Sequence, residues 1–140
     1  MNAIADIHES KYYQHYIDED HYELNTGYQE ILKLHRMLAE HDIPHVVRRA
    51  FEGWQVCYPV RRPDENCVVD AIEHRGSYGQ QNDLLEIMGL LTPEESECDC
   101  VAGYLTAEDV FERIKNHWEA NQNEKQKEEP CTPSEIKSQN

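Results

Sequence analysis

Five of the seven arginines of this 140-residue chain fall between positions 48 and 75: Arg48, Arg49, Arg61, Arg62 and Arg75. A guanidinium presents a planar fork of donors that matches a carboxylate or a phosphate, so such clustering is the first place to look for anion chemistry. Directly after Arg75 comes Gly76-Ser77-Tyr78-Gly79, a loop leading into the apolar run "DLLEIMGLL". If that run is a helix, its free N–H groups favour an anion at its start. Arg48, Arg75, Ser77 and Tyr78 then form a candidate site for a nucleotide-like anion, with Tyr78 or Trp54 stacking on a base. The competing expectation is structural: the arginines pair with acids of the chain, the glycines turn it, and Tyr78 plugs the core. The loop fits neither a Walker sequence, because no Lys follows Gly79, nor the three-glycine dinucleotide fingerprint.

Other chemistries find less support. His15, Asp18, His21 and Glu23 lie close together, and Cys98 and Cys100 flank Asp99. Neither set has the paired Cys or Cys/His spacing of a structural zinc site, so no metal and no cofactor is expected. Ser77 near His74 is a conceivable nucleophile and base, yet no Gly-x-Ser-x-Gly elbow surrounds any serine. A non-catalytic protein is the expectation.

Charge is the other distinctive feature. The chain has 28 acids and 13 bases, formal net charge −15. Residues 1–44 carry −6, residues 45–75 are neutral, residues 76–120 carry −8, and the remainder only −1. The acidity therefore belongs to the part expected to fold. Two runs stand out as a partner-binding surface: Glu94, Glu95, Glu97 and Asp99, then Glu108, Asp109 and Glu112; Asp18, Glu19, Asp20 and Glu23 add acids near the N-terminus. Such a surface disfavours direct contact with nucleic acid and suits a partner with a basic face, including the basic channel of a nucleic-acid enzyme.

These residues must be positioned by a chain long enough for one domain with a real core. Residues 1–24 read as an acidic arm rich in Tyr and His, 25–120 as one α+β domain, and 121–140, polar and punctuated by Pro, as a disordered tail. Within the domain, Tyr28, Ile31, Leu32, His35 and Leu38 mark one face of a helix over 27–41, capped by Asn25 or Thr26 and ended before Pro44. The runs 45–51, 54–60 and 67–74 predict a three-stranded antiparallel meander with a tight connection at Glu52-Gly53. Val47, Phe51, Trp54, Val56, Tyr58, Val69 and Ala71 are its core positions. Register through Val60 and Cys67 sets Cys57 opposite Asp70, which leaves the two cysteines offset and a disulfide between them disfavoured.

Two to three helices packed on one face should follow: 83–91, apolar all round; a short turn capped by Thr92 with Pro93 and Glu95; and one from Thr106 and Asp109 bearing Val110, Phe111, Ile114 and Trp118. Five cysteines without a paired framework indicate reduced thiols. With no apolar run long enough to span a bilayer and no secretory leader, a cytosolic location and no membrane partner are expected.

With its "GWQVCYP" strand, "IEHRGSYG" strand and loop, "DLLEIMGLLTPEE" and "GYLTAEDVFERI", the core over about residues 28–120 resembles small accessory proteins of phages and mobile elements of Gram-positive gut bacteria. The resemblance implies an accessory role toward a host protein and transfers no site residue. An anti-defence inhibitor that mimics nucleic acid is its sharper form. A small-ligand module and a homo-oligomeric structural component of a phage-like element are the alternatives.

Overall fold

The computed structural model describes residues 10–14, 28–60 and 67–137, with side chains up to 124. Its elements are α1 (Gln29–Glu40), β1 (Val46–Ala50), β2 (Gly53–Tyr58), β3 (Val69–Glu73), β4 (Leu85–Met88), α2 (Pro93–Cys98), β5 (Ala102–Leu105) and α3 (Ala107–Lys137). The five strands form one antiparallel sheet in sequence order. The fold is α+β, as expected, with two more strands than the predicted meander.

The sheet keeps its inner face apolar by alternation: Val47 pairs with Val56, Val56 with Ala71, and Ala71 with Ile87. Residues two apart share a face, so this register also brings Trp54, Tyr58, Val69 and Leu85 inward, and all are buried. Helix α1 lies on β2 and β3 through Ile31, Leu32, Leu34, His35 and Leu38. Helix α3 packs beside α1 with Val110, Phe111 and Ile114, and Trp118 closes the margin. Both expected helical faces are thus the core faces.

The predicted helix over 83–91 is not formed. Gln80–Asn82 make a 3-10 turn, Asp83 takes a left-handed conformation (φ 57°), and Leu85–Met88 become β4 between β3 and β5. Gly89 and Leu90, also left-handed at φ 103° and 53°, end the strand. An apolar run buried between two neighbouring strands has the same composition as a buried helix, and the backbone breaks at 83 and 89–90 leave room only for the strand. Gly89 has a second constraint: a Cβ there would meet the Val68 carbonyl oxygen at 2.1 Å. β5, short and interrupted by Gly103, carries little strand signal.

Smaller corrections concern turns. The β1–β2 connection is Phe51-Glu52 rather than Glu52-Gly53, with both residues left-handed (φ 47° and 65°) as the twist of a two-residue hairpin demands. Phe51 therefore points out, 64% exposed, instead of entering the core. Gly53 starts β2 because a Cβ would lie 2.1 Å from the Glu73 carbonyl oxygen. Cys57 does pair with Asp70. Cys98 and Cys100 are exposed free thiols. The Thr92–Glu95 capping box forms as expected. Asn25 and Thr26 lie outside the described residues, and the N-cap of α1 is Tyr28, which supplies no side-chain acceptor.

On the outer face a polar relay crosses three strands: Arg48 Nε donates to Gln55 Oε1 at 2.5 Å, and Gln55 Nε2 donates to Asp70 Oδ1 at 2.8 Å. At the free edge of β1, Tyr13 bridges Val47 in parallel, with Val47 N donating to the Tyr12 carbonyl and Gln14 N to the Val47 carbonyl, each at 2.9 Å. Tyr12 stacks on His45 with ring centroids 4.1 Å apart. His45 Nε2 in turn lies 2.9 Å from His35 Nδ1, and His45 Nδ1 2.8 Å from the Ile43 carbonyl oxygen. That carbonyl fixes the proton on His45 Nδ1, so His45 Nε2 accepts from His35. Burial holds both imidazoles neutral, down to about 4, with their mutual proximity adding to the shift of His35. The arm is otherwise outside the described residues, as are Arg61 and Arg62. Helix α3 continues through the polar segment from Asn121 to Lys137.

Candidate functional site

One end of the sheet gathers the β1–β2 turn, the β3–β4 loop and the far end of β5. An open cleft of about 350 Å³ lies there, lined by residues 75–82 and Tyr104. It brings together three of the five residues proposed for ligand capture, Arg75, Ser77 and Tyr78. Arg48 is absent from its lining because it serves the outer-face relay. Trp54, 1% exposed, is core and offers no ring to a base.

Each of the three has a role within the chain. Arg75 Nε pairs with Glu52 Oε2 at 2.9 Å, although both side chains are largely exposed. Ser77 Oγ donates to the His74 carbonyl (2.8 Å) and accepts from His74 N (3.1 Å), so the hydroxyl closes the turn rather than facing an imidazole. The Tyr78 ring, expected in the core, is 52% exposed, while its N–H donates to Glu86 Oε1 at 2.8 Å. Other loop N–H groups are also spent: Ser77 on His74, Gln80 on Ser77, Asn82 on Gly79 and Asp83 on Gln80. With no helix following, the N-terminal dipole invoked for an anion is missing.

Aromatic exposure and backbone strain concentrate at this rim. Phe51, Tyr78 and Tyr104 are three of the four large hydrophobic residues exposed in the described structure. Phe51, Glu52, Gly76, Gly79, Asp83 and Tyr104 all have positive φ here; Tyr104, at φ 59°, is held by its N–H bond to the Tyr78 carbonyl at 3.3 Å. Gly103 permits that approach, since its Cβ would fall 2.4 Å from Tyr78 Cβ. Sequence reading noticed the loop but missed Tyr104, whose partner strand was not anticipated. Its one available signal was a lone tyrosine beside a glycine.

A buried acid lies just behind the rim. Glu73, fully buried opposite Trp54, accepts from Ile31 N through Oε1 at 3.1 Å. Asp83 Oδ1 accepts from Gln29 N (2.9 Å) and Glu30 N (3.1 Å), so two acids remote in sequence cap α1. Burial, then the hydrogen bond that a protonated Glu73 gives Asp83, pushes Glu73 up to about 9. Glu30 passes the same device on, its Oε1 accepting from Ala107 N at 2.7 Å at the start of α3.

The acidic surface is the second candidate. Glu95 is not free for a partner: Arg113 grips it with two parallel bonds, 2.8 and 2.9 Å, and also donates to the Leu90 carbonyl. That grip and the capping box lower Glu95 to about 2. Glu108 pairs with Lys33 at 2.5 Å. Glu94, Glu97, Asp99, Asp109 and Glu112 remain exposed, and the Arg113–Glu95 clasp ties α2 to α3.

Among the described residues no three His, Cys, Asp or Glu side chains gather as a metal site; His15, Asp18, His21 and Glu23 lie outside them. No described helix is long and apolar enough to cross a membrane. Comparison of the chain with protein families, curated proteins and solved structures finds no match.

Proposed function

We propose that this protein is a non-catalytic accessory protein of a phage-like element that binds a basic host protein through the flank formed by α2 and the start of α3. Its sharper form is inhibition of a nucleic-acid enzyme by occupying the channel that normally receives phosphate charges. The observation that carries the reading is the Arg113–Glu95 clasp. It turns one of only two bases between residues 76 and 120 inward, and leaves Glu94, Glu97, Asp99, Asp109 and Glu112 exposed on joined elements. A flank of like charges held in fixed relation attracts a basic surface strongly at low salt and weakly at high salt.

The test is capture from bacterial host lysate by the full chain and by a variant with Glu94, Glu97, Asp109 and Glu112 changed to Lys. A partner retained at low salt, released at high salt, displaced by added duplex DNA and lost with the variant supports the proposal. Capture that the variant leaves intact sinks it.

A further inference from the structure

We propose that the cleft between Tyr78 and Tyr104 binds an uncharged, hydroxyl-rich ring ligand, one or two sugar units in size. The inference stands independently of the acidic flank. A cleft of about 350 Å³ is at the small end of ligand sites, which run from roughly 300 to 1,000 Å³. Its lining is of two kinds. Tyr78 and Tyr104, 52% and 63% exposed, present aromatic surface at the cleft. Gln80, Gln81 and Asn82 present three carboxamides, each able both to donate and to accept. A sugar ring matches this pairing, because its C–H face stacks on an aromatic ring while its hydroxyls bond to amides.

Charge decides against an anion. Arg75, the cation of the lining, is already neutralised by Glu52, and the Tyr78 N–H is committed to Glu86. The whole chain, at −15, repels an incoming phosphate. A neutral ligand meets no such barrier, and Arg75, paired with Glu52 through Nε, carries further guanidinium N–H donors. The frame is fixed in advance: the Tyr104 N–H bond to Tyr78 and the close contact of Gly103 with Tyr78 set the two tyrosines on one rigid unit. The left-handed backbone at Tyr104 is a strained conformation of a kind that recurs at binding sites.

The experiment is amide NMR of the full chain titrated with maltose, cellobiose, lactose and N,N′-diacetylchitobiose, with adenosine and AMP in separate arms. At least one disaccharide should move the amides of Gly76 to Asn82 and Tyr104 saturably. Tyr104→Gly, which suits the positive φ, and the exposed Gln81→Ala should each weaken that binding by about tenfold or more with the melting temperature maintained. The proposal is overturned if no disaccharide shifts these amides, if adenosine or AMP alone does so, or if the shifts survive both substitutions.

Discussion

Glu73 and Asp83, ten positions apart on either side of the β3–β4 loop, share the N-terminus of α1: Glu73 takes the Ile31 N–H, and Asp83 takes those of Gln29 and Glu30. Three of the four orphan donors of a helix start are thereby satisfied by carboxyl groups from another part of the fold. The rim loop is consequently bound to the main helix, and the cleft it lines has a rigid back wall.

Glu73 sets a pH dependence whose sign follows from its shift. Raised to about 9 when folded, it keeps a proton that the unfolded chain releases from about 4.5 upward. Its contribution is fully present at acid pH and is lost as pH rises through that window. Glu73→Gln retains the acceptor for Ile31 N and a donor toward Asp83 without the proton. Thermal melts should show Glu73→Gln more stable than the parent at pH 8.5 by ~1–2 kcal/mol, with the difference closing toward pH 5. A variant less stable at pH 8.5 would contradict the assignment of a neutral Glu73.

Asp83 acts through both cap and backbone. Asp83→Ala loses two charge-assisted hydrogen bonds and places Ala at φ 57°, for a combined cost of ~2 kcal/mol in urea unfolding. Asp83→Gly, free of the backbone strain, should cost less than Asp83→Ala. The reverse order would contradict the left-handed backbone at Asp83, and no loss in either variant would show that the side chain does not cap α1.

The His35–His45 pair opposes Glu73. Both imidazoles are lowered to about 4, so the unfolded chain binds protons first, below about 6.5, and stability falls as pH drops from there toward 4. In the Glu73→Gln background this acid-side loss should stand alone and steepen. Histidine Cε1 proton shifts measured from pH 7.5 to 4.5 should show both rings neutral above pH 5; titration of either near 6.5 would refute their burial as a neutral pair.

Glu95 serves both the capping box of α2 and the clasp, whereas Arg113, on α3, serves the clasp and the Leu90 carbonyl. Glu95→Ala removes both the capping box and the clasp, and should cost ~1–2 kcal/mol, against ~1 kcal/mol for Arg113→Ala. A double-mutant cycle read by urea denaturation should return a coupling of ~0.5–1 kcal/mol. Additive losses would mean that the clasp does not join α2 to α3.

Where the sequence was readable, one face of an element met one uniform environment. Ile31, Leu32, His35 and Leu38 spell a helix because α1 has a single buried side, and Val47, Val56 and Ala71 spell strands because the inner face alternates cleanly. Leu84 to Leu91 misled because β4 has a neighbour on each side and its limits are set by backbone torsions at Asp83, Gly89 and Leu90. The caps of α1 were out of reach: Asp83 and Glu73 lie more than forty positions from the N–H groups they accept, and no local pattern encodes that. The rim was half legible for a related reason. Gly76 to Gly79 announce a turn, but only the pairing of β4 with β5 brings Tyr104 to it.

The Arg48–Gln55–Asp70 relay supplies something that the apolar pattern of the sheet cannot. A strand that slips by two residues keeps every side chain on its proper face, so the hydrophobic core would tolerate β2 sliding past β1 or β3 by that step. The three polar side chains would not, because a two-residue slip moves each donor roughly 7 Å from its acceptor. Laid across the middle strand, they act as a vernier that admits a single alignment of the hairpin, and with it a single placement of the Phe51-Glu52 turn beside Arg75.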